Sequence, residues 1–358
     1  ERVRVSLYHT PALSGVSKRA WPQRYNEAFG LQHIKAYVFD DSVIISGANL
    51  SRDYFTNRQD RYMRIKDRPF ADYFVGLVDA IGRISFGVAS GAGGGYSLRM
   101  EPGMPDPSRD PREFVREAND VVTQFLRRME IQHPAAEAAA LGERDTLAIP
   151  TVQMRQLGIN QDEHHMNAFF AAVDEWAQSR ACRSLMASAY FNFSDSYKRS
   201  VLESHGCWDL LVASPQANGF HAARGISQFI PDMYSIIEHS FVREATRRQR
   251  GSSVAVKEYA RDRWTFHGKG IWCYLDQDLP QLTMVGSPNY GYRSIYRDLE
   301  AQVTLIPGPA SALMSDIHRE AQGLLAYTRA VGAHELRERI RTAPLWLHGL
   351  RPFIQNKM

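Results

Sequence analysis

The chain carries one sparse pattern twice, about 240 residues apart. His33-Ile34-Lys35 returns as His267-Gly268-Lys269, Asn49 as Asn289, Arg58 as Arg297 and Asp60 as Glu300, with the acid eleven residues after the Asn in both copies. A duplication of this kind restricts the chain to two related units packed on one another. An isolated His-x-Lys is ordinarily a satisfied strand histidine, and the matching Asn and acid in both copies override that reading. The second copy follows some 120 residues of alternating helical and strand patterns, whereas only 32 residues precede His33. The expectation is an α/β protein of two pseudo-symmetric halves, the first of them truncated at its N-terminus.

Hydrophobic patterning fills in the rest. Val3, Val5 and Leu7 alternate as a half-buried strand, and residues 31–65 read as three strands joined by polar turns. A helix is expected over 69–84, a Gly/Pro/Ser-rich surface loop or linker over 87–111, and a helix from Asp110 to about Ile131. The glycines of 91–95 lack the Lys of a phosphate loop. After an Ala-rich stretch and a break near Gly142, helices 163–180, 195–204 and 231–249 alternate with strands 183–190 and 208–214, as in a mixed, mostly parallel sheet with flanking helices. This divides the chain into a first half at 1–140, a second at 141–340 and a C-terminal segment at 341–358.

Composition sets limits on partners. With 44% hydrophobic residues in 358 the chain can bury a real core, and 43 Lys+Arg against 39 Asp+Glu is too slight an excess to indicate nucleic acid or a membrane by itself. Cys182, Cys207 and Cys273 are distant in sequence with no C-x-x-C, which excludes a disulfide framework or structural zinc site and suits a reducing compartment. No apolar run is long enough to span a bilayer, and the first residues lack a signal-peptide layout, so membrane contact is expected to be peripheral.

In an extended strand, residues i and i+2 share a face, so each His-x-Lys sets a nucleophile beside a cation. Two such pairs in one pocket, with two Asn amides, suit a phosphate diester. Its transition state spreads negative charge over equatorial oxygens that fixed Lys and Asn donors stabilise with no metal and no cofactor. One His attacks phosphorus while the other protonates the leaving oxygen and later deprotonates the incoming hydroxyl. Asp60 and Glu300 are placed to hold the remaining ring nitrogens. Gly47 and Gly286, beside the Asn residues, suit a close approach of backbone to a ligand, or a turn.

These residues resemble the phospholipase D superfamily, whose motif is His-x-Lys-x4-Asp followed by Gly-Ser-x-Asn. The first copy matches as His33, Lys35 and Asp40 but reads Ser46-Gly47-Ala48-Asn49; the second keeps Gly286-Ser287-Pro288-Asn289 but has Tyr274 where the Asp belongs. The resemblance places Asp40 and Ser287 with the catalytic group, although Asp40 is an odd number of residues from both His33 and Lys35 and should face away from them. Longer stretches, among them LQHIKAYVFDDSVIISGANLSRDYFTNRQDRY, TFHGKGIWCYL and MVGSPNYGYRSIYRDLEAQV, are similar to the mitochondrial phosphatidylglycerophosphate synthase family of eukaryotes. That resemblance implies phosphatidyl transfer from CDP-diacylglycerol to sn-glycerol 3-phosphate with release of CMP, on the matrix side of the mitochondrial inner membrane. The superfamily more often attacks with its N-terminal copy, which makes His33 the expected nucleophile and His267 the expected acid, protonated at the start.

Arg58, Arg61, Arg293 and Arg297 flank the Asn and the acid and are candidate phosphate ligands, with surface or structural ion pairs as the competing role. Tyr190, Asn192 and Asn218 lie after strands, where ligands gather and where turn chemistry also places such residues. His164, His165, His205, His221 and His239 read as solvated, with no third ligand for a metal. In the tail, Trp346, Leu350, Phe353 and Ile354 recur at helical spacing beside Arg351 and Lys357, as in a helix lying on an anionic membrane surface or packed on its own core. The alternative activities are a phospholipase D-type phosphodiesterase or a nuclease. A nuclease needs a long basic groove, and Arg247, Arg248 and Arg250 form the one evident basic run.

Overall fold

The computed structural model describes residues 3–15, 26, 29–91, 95–132, 146–221, 223–309, 311–344, 346, 347 and 349. In chain order the first elements are β1 (Ser6–Leu7), β2 (Ala36–Phe39), β3 (Ser42–Ser46), β4 (Arg58–Gln59), β5 (Tyr62–Lys66) and α1 (Arg68–Arg83). β2, β3 and β5 form an antiparallel sheet in that order, matching the three expected strands. Asp67 starts α1 by accepting a hydrogen bond from Phe70 N at 2.8 Å, with Pro69 in the first turn, where its missing N–H is harmless. Phe70, Phe74, Leu77 and Ile81 then recur at helical spacing and bury one stripe.

The expected loop over 87–111 contains two strands instead, β6 (Phe86–Ser90) and β7 (Tyr96–Arg99). Gly91 N donates to Gly95 O at the end of this pair. β1 pairs with the other side of β6, and Val3, Val5 and Leu7 are exposed rather than half-buried. α2 (Pro111–Gln132) follows, as the periodicity predicts.

The remaining elements are β8 (Thr146–Met154), β9 (Ile159–Asn160), α3 (Gln161–Ala177), β10 (Cys182–Ala187), α4 (Asp195–Glu203), β11 (Cys207–Ala213), α5 (Ile230–Arg247), β12 (Val254–Tyr259), β13 (Thr265–Phe266), β14 (Gly270–Leu275), β15 (Leu282–Gly286), α6 (Tyr292–Tyr296), β16 (Glu300–Pro307), α7 (Leu313–Leu325), β17 (Thr328–Ala330) and α8 (Ala333–Arg341). They build a nine-stranded sheet ordered β17-β12-β11-β10-β14-β15-β16-β8-β9. The sheet is mixed, as expected, but not mostly parallel: only β10–β11 and β11–β12 pair in parallel. Those strands are joined by helical crossovers, whereas β14, β15 and β16 follow one another in the sheet as antiparallel neighbours.

Alternation along the central strands sends their side chains to two cores. Ile271 and Cys273 join Met186, Trp208 and Met284 beneath α3, α5 and α8, and Trp272 and Tyr274 join Leu185, Leu211 and Tyr259 beneath α7. A third core unites Val43 and Ile45 with α1, α2, Val152, Val285 and Val303. Residues 133–145, which contain the expected boundary near residue 140, lie outside the described residues. The small sheet of the first half therefore shares its core with β8, β15 and β16. Cys182 and Cys273, far apart in sequence, are buried neighbours on β10 and β14, both as free thiols.

Candidate active site

Two short pieces of pairing outside the regular sheets bring the two motifs together. His33 N donates to Leu299 O and Leu299 N to Leu31 O, each at 2.9 Å, which sets Glu300 beside His33. Reciprocally, β4 runs parallel to β13 and His267 N donates to Gln59 O at 2.7 Å, which sets Asp60 beside His267. Each imidazole is thus held by the acid of the other copy. Glu300 faces His33 Nδ1 at 2.9 Å, and Asp60 faces His267 Nδ1 at 2.7 Å. Both acids are fully buried, and Asp60 also accepts from Arg61 N at 2.8 Å. The two lysines lie against the same backbone: Lys35 Nζ donates to His33 O at 2.6 Å and Lys269 Nζ to His267 O at 2.8 Å. A Cβ on Gly47 would come within 2.9 Å of the Lys269 side chain, so the glycine admits a lysine rather than a ligand. Gly286 lies against the Ala301 carbonyl for a similar reason, and its role is strand packing.

The electrostatics follow from crowding cations in a dry place. Burial, with Lys269 and His33 adding to it and Asp60 opposing, pushes the His267 imidazole down to about 3. The ring is therefore neutral at neutral pH, contrary to the expectation that His267 begins protonated. Burial and Lys269 bring Lys35 down to about 7 against the pull of Glu300, Asp60 and Asp298. Burial lowers Lys269 as well. Asp60 and Glu300 are penalised by burial, yet Lys269 and His267 hold Asp60, and His33 and Lys35 hold Glu300, below the usual carboxylate range. His33, Lys35, His267 and Lys269 thus act on one another as a single charged cluster.

Aromatic residues wall the cluster. Tyr54, unmarked by any motif, is buried with its hydroxyl 3.3 Å from His267 Nδ1 and its ring edge-on to the imidazole at 5.2 Å. Its position midway between Asn49 and Arg58 was the only sequence signal for it. Tyr190 lies edge-on to His267 at 6.3 Å and stacks on Tyr234 at 5.3 Å.

The other candidates separate by what they touch. Ser287 is buried and exchanges hydrogen bonds with Ala301 while also reaching Glu300, so it positions the acid. Asn289 keeps a buried Oδ1 with no partner among the described residues, a hydrogen-bonding position left for a ligand. Asn49 is exposed and not its equivalent. Arg58 sits over Tyr54 and bonds Asp53 and Thr265. Arg293 pairs with Asp298 at 3.1 Å, and Arg297 lies over the Tyr292 ring. Arg61 is not a phosphate ligand: it is buried against Trp272 and bonds Glu320, Thr283 and the Met284 carbonyl. Asn192 is buried beside Gly291, and Asn218 closes a turn by accepting from Phe220 N. His164, His205 and His221 are exposed as expected, but His165 is half-buried on Thr304 and His239 is also half-buried. Arg247 and Arg248 are tied to Glu244, and Arg250 to the Gly206 carbonyl, which leaves no free basic run there. Leu347 enters the core and Trp346, 47% exposed, meets Phe229 edge-on, while Leu350, Arg351, Phe353, Ile354 and Lys357 lie outside the described residues. No group of three or more His, Cys, Asp or Glu among the described residues is placed to hold a metal ion.

Asp40 is a correction to the catalytic group. It lies exposed in the turn between β2 and β3 with φ +53°, held there by the hairpin and turned away from the cluster. Asp tolerates this left-handed conformation and a β-branched residue does not. Asp40→Gly should therefore leave kcat within about twofold and stability within about 0.5 kcal/mol, whereas Asp40→Val should cost about 1–2 kcal/mol in urea unfolding with kcat unchanged. Loss of turnover in a stable Asp40→Gly protein would return Asp40 to the site.

No protein-family model matches the chain. It is 38% identical over 377 residues to the mitochondrial CDP-diacylglycerol–glycerol-3-phosphate 3-phosphatidyltransferase of Bos taurus, covering 99% of this chain and 66% of that protein. The Gallus gallus protein of the same name is 38% identical over 381 residues, with 99% and 67% covered, and that of Saccharomyces cerevisiae 32% identical over 348 residues, with 92% and 66% covered. The chain thus spans about two thirds of the length of these relatives. Among solved structures, phosphatidylserine synthase of Haemophilus influenzae Rd KW20 superposes with a TM-score of 0.63 at 17% identity, over 93% of this chain and 72% of that one, a likeness of fold.

Proposed function

The chain belongs to the CDP-diacylglycerol–glycerol-3-phosphate 3-phosphatidyltransferase family, and from that membership we propose that it transfers the phosphatidyl group of CDP-diacylglycerol to sn-glycerol 3-phosphate through a covalent phosphohistidine. The observation that carries the reading is the reciprocal holding of two imidazoles by two buried acids, with two buried lysines beside them. His267, neutral with Nδ1 turned to Asp60, presents Nε2 to the phosphorus that bears the diacylglycerol. An N–P bond forms, the P–O bond to CMP breaks, and His33 supplies a proton to the departing CMP oxygen. The glycerol 3-phosphate hydroxyl then gives its proton to His33 and attacks the same phosphorus, which frees His267. Lys35, Lys269 and Asn289 take up the charge on the equatorial oxygens, a task for fixed donors in a water-poor site. Arg58 and Arg293 are assigned to the outer phosphates. The roles expected of the two histidines are reversed in this scheme because a ring held at about 3 makes a nucleophile and a poor acid. We place the protein on the matrix side of the mitochondrial inner membrane, following the mitochondrial designation of its relatives, with the segment 341–358 as one membrane contact.

The protein incubated with CDP-diacylglycerol in excess chelator should release CMP and form phosphatidylglycerophosphate only when glycerol 3-phosphate is present. Equal CMP release without the acceptor, with phosphatidic acid as the lipid product, would make it a phosphodiesterase instead.

Lys35 gives the reaction a pH signature. The lysine is cationic below about 7 and loses its proton as the pH rises through that value, so kcat/KM, which reports the free enzyme, should fall on the alkaline side from about pH 7. A bound phosphate favours the charged form, so the limb in kcat should lie higher. Lys35→Arg, charged throughout, should retain a lower activity whose kcat/KM shows no such limb. An unchanged limb in that variant would remove Lys35 from the cause.

A further inference from the structure

Between β3 and β4 the chain forms a tight loop with an unusual division of its side chains. Tyr54 points inward to His267, while its neighbours Leu50 and Phe55 stand 75% and 64% exposed. The display is fixed: Ser51 N donates to Asn49 O, Tyr54 N to Ser51 O and Thr56 N to Asp53 O, and the Tyr62 hydroxyl donates to Tyr54 O from beneath. Tyr62 is itself 43% exposed. The loop is tied to the turn at 261–264, with Asn57 Nδ2 donating to Arg263 O and Thr265 N to Asn57 O, both at 3.0 Å. Together these two segments carry three arginines, Arg52, Arg261 and Arg263, against two aspartates, Asp53 and Asp262, with Arg58 following at the start of β4. Arg58 pairs with Asp53 and Arg263 with Asp262, and Arg52 makes no ion pair among the described residues.

We propose that this loop seats the protein on an anionic lipid surface, with Leu50 and Phe55 entering the interface and Arg52 at headgroup level. The proposal rests on the reading that the substrate is a lipid. Apolar tips flanked by excess cations match the charge and polarity profile of an anionic bilayer boundary. Two protruding side chains are also too small a patch for a stable protein interface. The placement has a chemical reason. A phosphatidyl phosphorus lies at headgroup depth, so a centre that attacks it must open where the protein meets the membrane, and here the same turn carries Tyr54 against His267 and Phe55 to the outside.

The test compares the full chain with its Leu50→Ser/Phe55→Ser and Arg52→Ala variants by flotation with phosphatidylcholine vesicles, with and without phosphatidylglycerol. The double variant should bind vesicles about 10–100-fold more weakly, and Arg52→Ala should lose binding only to the anionic vesicles. Turnover of bilayer CDP-diacylglycerol should fall in proportion in the double variant, while turnover of a short-chain, monomeric CDP-diacylglycerol stays within about twofold. Unchanged flotation, an equal loss on monomeric substrate, or conversion of a dimeric parent to a monomer in sedimentation would each overturn the proposal, the last by assigning the patch to a second copy. If no protein turns over any CDP-diacylglycerol, the failure belongs to the assigned reaction, and flotation still decides the surface.

Discussion

Alanine at His267 should lower transferase kcat by at least about 10⁴-fold and abolish the covalent intermediate, because in the proposed scheme His267 forms the bond to phosphorus. Alanine at His33 should produce a comparable loss in steady state with a different cause. CMP departs as a stabilised phosphate anion and needs little help, whereas a glycerol hydroxyl is a weak nucleophile until a base removes its proton. His33→Ala should therefore release about one equivalent of CMP per enzyme in a burst and then stall with the phosphatidyl group on His267. Rapid quench with labelled CDP-diacylglycerol and peptide mapping reads both outcomes. Label on the peptide containing His33 in the wild type, or a burst in His267→Ala but not in His33→Ala, would restore the opposite assignment.

Asp60→Asn should be the next most damaging change. The carboxylate holds His267 Nδ1 at 2.7 Å and lies 3.7 Å from Lys269 Nζ, with all three groups buried. An amide in its place no longer enforces the tautomer that leaves Nε2 free, and it withdraws the countercharge from a lysine already lowered by burial. The pKa of Lys269 is then lowered further, because Asp60 is one of the charges that oppose its desolvation, and the nucleophile and a donor of transition-state stabilisation are impaired at once. The expected fall in kcat is about 10²–10⁴-fold. Stability should change as well. Because the Asp60 carboxyl is held below its ordinary range in the folded state, its stabilising contribution is present above the unfolded carboxylate pKa, near 4, and disappears as pH falls through the lower folded value. The variant should accordingly lose up to about 3 kcal/mol at pH 7 and less in acid. Full activity in a stably folded Asp60→Asn protein would show that Asp60 only fills space. Glu300→Gln, acting on His33, should slow the second half-reaction more than the first.

Much of this was legible in the residues. The repeated His-x-Lys and acid pointed to residues that the structure brings together, two imidazoles each held by a buried acid with two lysines beside them. Helices α1, α2, α3 and α5 followed from amphipathic spacing, which a helix cannot disguise. What failed was whatever depends on neighbours in space. Strand direction could not be read from β14, β15 and β16, because it depends on which strands each one meets in space. Residues 87–111 looked like a linker because turn residues dominate their composition, and only the pairing of β6 with β1 and β7 makes them a sheet.

At the site the division is similar. Sequence alone determined which histidines, lysines and acids would meet, while Asp40, which the resemblance placed with them, lies in the turn after β2. The tertiary structure decided that each acid serves the histidine of the other copy, because β4 pairs with β13 while the segment before His33 pairs with Leu299. It also decided that Tyr54 packs against His267 and that Arg61 is committed to Trp272 and Glu320. Above all it decided that burial keeps His267 neutral. Identical histidines in near-identical motifs are chemically equivalent on paper, and only the fold shows His267 buried against Lys269, which lowers its proton affinity.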